Sequence, residues 1–137
     1  QQATYWTSAD TSDGGACRIR NVTEVSIHNC EVNYCLRGLR IQDCGSVDNA
    51  SIVSNCKVYR TLEAGLYLAA GSYTGTDGCI NFHLQGNHLV ECFNNSILVI
   101  GGSHNTVQSN NIIRGANAAI MNWHSIDCKI IGNFPAE

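Results

Sequence analysis

Few residues on this chain could do chemistry: it carries 8 Lys and Arg, 11 Asp and Glu, five His and eight Cys in 137 residues. Their spacing singles out one polar set. Arg37, Glu63 and Asn95 each follow an asparagine (Asn29, Asn55 and Asn87) by the same interval. If those asparagines begin equivalent repeats, the three side chains stack into one row able to contact a saccharide. The same row also reads as a surface ion pair, which contributes little to stability. A second set is aromatic, since rings such as Tyr67 and Trp123 offer a flat apolar face with a polar rim on which a sugar can stack. His124 lies beside Trp123, and Arg40 beside the same row. None of His28, His83, His88, His104 and His124 has an Asp or Ser partner that makes a convincing triad. The cysteines at 17, 30, 35, 44, 56, 79, 92 and 128 contain no C-x-x-C pair. The closest approaches among soft ligands are Cys30 with Cys35, His28 with Cys30 and His83 with His88, which argues against structural zinc. Buried free thiols are favoured, although the even count also suits disulfides. No metal and no cofactor is expected.

These residues need elements to position them, and the chain repeats. Five segments align on Asn29, Asn55, Asn87, Asn110 and Asn133. His28-Asn29-Cys30-Glu31-Val32 matches Ser54-Asn55-Cys56-Lys57-Val58, then Gly86-Asn87-His88-Leu89-Val90 and Ser109-Asn110-Asn111-Ile112-Ile113. Farther on, Leu39 and Ile41, Leu66 and Leu68, Ile97 and Val99, and Ile120 and Asn122 alternate with period two, as half-buried strands do. Another short strand precedes each anchor: Val25 to Ile27, Ser51 to Val53, Ile80 to Leu84, Thr106 to Gln108 and Lys129 to Ile131. Three short strands per repeat predict an all-β parallel β-helix, a solenoid of about five coils. Stacking at about 4.8 Å lets asparagines form a ladder of amide hydrogen bonds. The same alignment places Glu31 beside Lys57, where opposite charges attract.

With Leu39, Leu66, Ile97 and Ile120 inward, Arg40, Tyr67, Leu98 and Met121 form one outward column and Gln42, Ala69, Ile100 and Trp123 another. Leu98, Ile100, Met121 and Trp123 would then be a contiguous exposed patch, either an interface or a sugar platform, unless the register slips by one and they are core. Residues 71–78 are turn formers and read as a loop inserted into the longest repeat. Residues 1–21 form an N-terminal polar segment or incomplete coil, and 22–137 the β-helix. Fifteen asparagines, thirteen glycines and one proline fit a turn-rich chain. A net charge of -3 with 14% charged residues argues against nucleic acid as a partner, and no apolar run suggests membrane insertion. The start at Gln1 and two open strand edges without an obvious cap suggest a section of a longer or oligomeric protein. Sequons occur at Asn21, Asn49 and Asn94.

The Asn anchors, the Cys- and Ile-filled coils and the S/G-N-x-(I/V/L) pattern over about 22–134 resemble the pectin-lyase-like right-handed parallel β-helix superfamily. Within it the chain is most similar to a bacteriophage tailspike or tail-fibre segment. That resemblance implies a homotrimer on the virion tail, reduced cysteines, and binding or depolymerisation of bacterial surface polysaccharide. The alternative within the superfamily is a secreted, extracellular polysaccharide lyase or glycoside hydrolase. For an enzyme of this kind Glu63, Arg37 and Asp43 are the catalytic candidates, with hydrolytic carboxylates needing about 5 to 9.5 Å between them. Tyr67, Trp123, Arg40, Asn95 and His124 are the carbohydrate-binding candidates. No N-T-D, G-H-G or R-I-K signature of the polygalacturonases is present.

Overall fold

A computed structural model describes residues 15–71 and 78–136. Its elements are β1 (Gly15–Arg20), β2 (Ser26–His28), β3 (Glu31–Gln42), β4 (Ser51–Ser54), β5 (Lys57–Ala69), β6 (Phe82–Gln85) and β7 (His88–Val90), followed by β8 (Asn95–Ile100), β9 (Thr106–Gln108), β10 (Asn111–Ile113), β11 (Ala118–Trp123), β12 (Lys129–Ile131) and β13 (Phe134–Ala136). All pairings are parallel, between strands one coil apart. The chain is a three-sided β-helix. Face A stacks β2, β4, β6, β9 and β12. Face B stacks the first residues of β3 and β5 with β7, β10 and β13. Face C stacks β1, the later residues of β3 and β5, β8 and β11. The five rungs of face C bound four complete turns, and β12 and β13 begin another, so the expected five coils are four and a part.

The inner register follows the sequence expectation. Leu39 pairs with Leu66, Leu66 with Ile97 and Ile97 with Ile120. These side chains meet Val53, Leu84 and Val107 from face A and Val58, Leu89 and Ile112 from face B in one buried core. Each fully buried aliphatic side chain contributes roughly 1.5–3 kcal/mol. The Glu31–Lys57 pairing is also in register. Stacked backbones leave no room at some positions: a Cβ on Gly38 would lie 2.2 Å from the Gly65 carbonyl oxygen in the next coil. The excursion expected at 71–78 falls mostly outside the described residues, as does most of the expected N-terminal segment. β1, at the end of that segment, pairs with β3.

The asparagine column needs correcting. Asn29 and Asn55 do not stack on Asn87. Register pairs His28–Ser54–Gln85–Gln108–Ile131 place Asn29 and Asn55 above Gly86, Ser109 and Gly132. That column is a corner where all five residues have φ between 52° and 62°, which Asn and Gly tolerate best. The buried position one residue later reads Cys30, Cys56, Asn87, Asn110, Asn133. The ladder occupies only its last three rungs. Asn87 Nδ2 donates to Asn110 Oδ1 at 2.9 Å, and Asn110 Nδ2 to Asn133 Oδ1 at 2.9 Å. Each Oδ1 also accepts the backbone N–H one coil earlier, from Cys56, Asn87 and Asn110 in turn, at 3.0 Å. Ser51 and Asn105 repeat the device at another corner, accepting from Val25 N and Phe82 N at 3.0 Å.

The corner from face B to face C carries a charged ladder. Tyr34, Arg60, Glu91 and Arg114 have φ of 53–55°. Arg60 Nε lies 2.8 Å from Glu91 Oε2, and Arg114 Nη1 lies 3.0 Å from Glu91 Oε1. Arg60 also donates to the Tyr34 hydroxyl and lies over its ring, 5.0 Å from the centroid.

The last described strand, β13, carries a proline. Phe134 N donates to Asn110 O at 2.9 Å, and Arg114 N donates to Ala136 O at 2.8 Å, so residues 134 and 136 point their backbone groups at β10. Alternation then turns the residue between them toward the open edge. That residue is Pro135, the only proline in the chain, and it presents no N–H to an incoming strand.

Candidate functional site

Residues chosen for chemistry collect on the outer surface of face C and its flanking corners. Outward residues of β3 and β5 are in register as Arg40–Tyr67 and Gln42–Ala69, and those of β8 and β11 as Leu98–Met121 and Ile100–Trp123. Tyr67 pairs with Leu98, so both expected outward columns are present. β1 adds Arg18 beside Arg40 and Arg20 beside Gln42. Half of the chain's eight cations therefore lie on two rungs: Arg18, Arg20, Arg37 and Arg40.

Burial alters the expected patch. Tyr67 is 8%, Leu98 7% and Ile100 5% exposed, although they face away from the central core. With Ala64 and Ala69 they form a second buried apolar cluster. Only Met121 (40%) and Trp123 (47%) of the expected patch are exposed. Tyr67 is therefore not an open stacking platform. The Arg37 and Arg40 guanidiniums lie 5.6 and 5.5 Å from its ring centroid, a cation–π arrangement that fixes two charged forks on one aromatic face.

Arg37, Glu63 and Asn95 do not form a single column. A bulge between Cys35 and Arg37 shifts the register, so Arg37 pairs with Ala64 and Ala64 with Asn95. Glu63 sits one residue early. It reaches Arg37 nonetheless: Nη2 donates to Oε1 at 2.7 Å and Nε lies 2.7 Å from Oε2 without hydrogen-bond geometry, an ion pair with one charge-assisted hydrogen bond. Asn95 is buried at 3%, and its Oδ1 has no hydrogen-bond partner among the described residues. A buried acceptor in that state is one a donor would stabilise.

Asp43 ends a polar chain. Arg18 and Arg40 both donate to Gln42 Oε1, at 3.2 and 3.3 Å. Gln42 Nε2 donates to Asp43 Oδ2 at 3.1 Å, and Gly71 N donates to Asp43 Oδ1 at 2.6 Å. With φ of 51°, Asp43 turns the chain out of face C while its carboxylate holds the Gly71 N–H. At the far end of the face, the exposed Trp123 and His124 rings are 4.9 Å apart and tilted by 35°. His124 is another left-handed corner residue, φ 55°.

Two features escaped the sequence reading. His28 does have serine partners: its Nε2 is 2.7 Å from Ser26 Oγ and its Nδ1 2.6 Å from Ser54 Oγ. Ser26 is two residues away on the same side of a strand, a signal present in the sequence; Ser54 comes from the next coil, in register with His28. Both lie on face A, away from the face C set. The second feature is a cleft at the C-terminal end lined by His104, Thr106, Asp127, Cys128 and Lys129, where His104 Nε2 and Asp127 Oδ2 are 3.7 Å apart. All eight cysteines are free thiols. Among the described residues no group of three or more His, Cys, Asp or Glu could hold a metal ion.

The site is thus a parallel-stacked outer face, basic at one end and aromatic at the other, whose carboxylates are engaged by neighbours. No curated protein and no solved structure matches the chain. A family described as "Right handed beta helix region" matches residues 7–134, and this span, together with the parallel three-sided coil it covers, places the chain in the right-handed β-helix family.

Proposed function

We propose that the chain is a polysaccharide-binding β-helix of a tailspike-like attachment protein, homotrimeric on a virion tail, and that the sugar chain contacts the two accessible ends of face C. The observation that supports this most is the exposed aromatic end, where the Trp123 ring, 47% exposed, lies 4.9 Å from that of His124. The Arg40 and Trp123 rungs are three apart along the solenoid axis, about 14 Å at the spacing of stacked strands, and Ala69 and Ile100 between them are buried. A polymer spans that distance better than a single sugar. Trp123 and His124 supply the exposed ring surface, while the exposed Arg18 and half-buried Arg40 supply directional donors. Tyr67 then acts beneath them, holding the two guanidiniums. Reading the chain as a secreted lyase or hydrolase has less to support it, because Glu63 is paired with Arg37 and Asp43 accepts from Gln42 and Gly71.

The test is calorimetric titration with a panel of neutral and acidic bacterial surface polysaccharides. Wild type binds at least one, and Trp123→Ala and Arg40→Ala each weaken that binding about tenfold or more with unchanged circular dichroism. A wild-type chain that binds none of the panel, or a Trp123→Ala variant that binds as well, refutes the proposal. Light scattering tests the assembly: a mass of about three times 14.8 kDa is expected, and a monomer at all concentrations removes the trimer.

A further inference from the structure

The buried column that holds the asparagine ladder changes chemistry in its first two rungs, where Cys30 and Cys56 stand in place of Asn. His28 pairs with Ser54 and Glu31 with Lys57, so Cys30 lies directly over Cys56. Their side chains point alike. Cys30 Sγ donates to His28 O at 3.5 Å and Cys56 Sγ to Ser54 O at 3.4 Å, in each case the carbonyl two residues earlier. Two identical side-chain conformations on adjacent rungs place the sulfurs about one rung apart, roughly 4.8 Å.

That spacing suits one kind of bond and not another. A disulfide brings its Cβ atoms to about 3.5–4.5 Å, so it would pull the two coils together. Two metal–thiolate bonds of about 2.3 Å in line reach roughly 4.6 Å, which fits without movement. Thiolates select soft ions such as Cu(I), and a linear two-coordinate ion needs no third ligand. Four-coordinate zinc would need a ligand set that the described residues do not provide. Access also differs between thiol pairs. Cys44 and Cys79 occupy adjacent coils but are 1% and 0% exposed, whereas Cys56 is buried beneath a partly exposed Cys30. We propose that Cys30 and Cys56 form a two-coordinate site for a soft monovalent cation, Cu(I) or Ag(I), held in line between successive coils.

Binding involves no oxidation. Each thiol gives up its proton to solvent as its sulfur bonds the ion, so one cation replaces two protons and the site gains one negative charge. The protons compete strongly. Burial, with a smaller effect from Cys30, pushes the Cys56 thiol up to about 11. Apparent affinity should therefore rise about 100-fold per pH unit below the thiol range, the signature of two released protons.

The experiment is anaerobic competition of the full chain for Cu(I) against bathocuproine disulfonate, followed by absorbance, with X-ray absorption on the loaded protein. One Cu(I) per chain with two sulfur neighbours is expected. Cys30→Ser, at a partly exposed position, should lower the affinity at least 100-fold with unchanged circular dichroism, and Cys128→Ser, at the far end of the solenoid, should leave it as in wild type. Retention of wild-type affinity by Cys30→Ser, loss of binding in Cys128→Ser, or three or four sulfur neighbours around copper would each overturn the proposal.

Discussion

Replacing Asn110 by alanine probes whether the side-chain ladder holds the coils in register. Asn110 is completely buried. Its Oδ1 accepts from Asn87 N at 3.0 Å and Asn87 Nδ2 at 2.9 Å, while its Nδ2 donates to Leu84 O and Asn133 Oδ1, both at 2.9 Å. Asn87 Nδ2 keeps a bond to Val53 O and Asn133 Oδ1 keeps the Asn110 backbone N–H. One buried backbone group, Asn87 N–H, loses its partner, while Leu84 C=O loses one of two, keeping its ladder bond to β9. At about 1–3 kcal/mol for the buried orphan, and with a small cavity added, Asn110→Ala should cost about 2–4 kcal/mol. For a chain of 137 residues this is a fall in Tm of roughly 6–12 °C. Asn29→Ala is the control: that residue is exposed in a left-handed corner, so the substitution should cost only the backbone preference, about 1–2 kcal/mol. Guanidinium unfolding of both variants followed by circular dichroism, with unchanged m-values, gives the comparison. A loss below about 1.5 kcal/mol for Asn110→Ala, or losses equal in the two variants, would show that the coils keep register through apolar packing alone.

Two further outcomes follow from the corner ladder and from Pro135. The hydrogen bond from Arg60, opposed by burial and supported by the charges of Arg114 and Arg60, holds the Glu91 carboxyl below its ordinary value. Since the folded value is the lower one, the ladder's contribution is complete above the usual carboxylate range and is lost as pH falls through the depressed value. Wild type should therefore be more stable than Glu91→Gln near neutral pH and converge with it in acid; parallel stability curves down to about pH 3 would contradict this. At the open edge, Pro135→Val restores an N–H directed outward. Sedimentation should then show concentration-dependent association beyond that of wild type, and identical sedimentation would mean that the edge is protected by something other than the proline.

Face C explains what could be read from the sequence and what could not. Alternation in Leu39 and Ile41, Leu66 and Leu68, and Ile97 and Val99 fixes which side of each strand faces the core, because a slip of one residue would expose all of them. The solenoid and its inner column were legible for that reason. The corner asparagines were not, since the same residue type serves two purposes: at 29 and 55 it supplies left-handed backbone, and at 87, 110 and 133 it supplies a buried amide one position later. Only pairing with neighbouring coils separates the two uses. A bulge between Cys35 and Arg37 likewise moved Glu63 out of the polar column while leaving it within reach of Arg37. The burial of Tyr67, Leu98 and Ile100 did have a sequence signal, the unbroken apolar run from Ile97 to Ile100, because a strand covered on both sides has no need to alternate. Alternation locates the core, and its interruption locates a second buried layer. The outer surface of face C, with two arginines over a tyrosine at one end and an exposed tryptophan at the other, begins where the alternation stops.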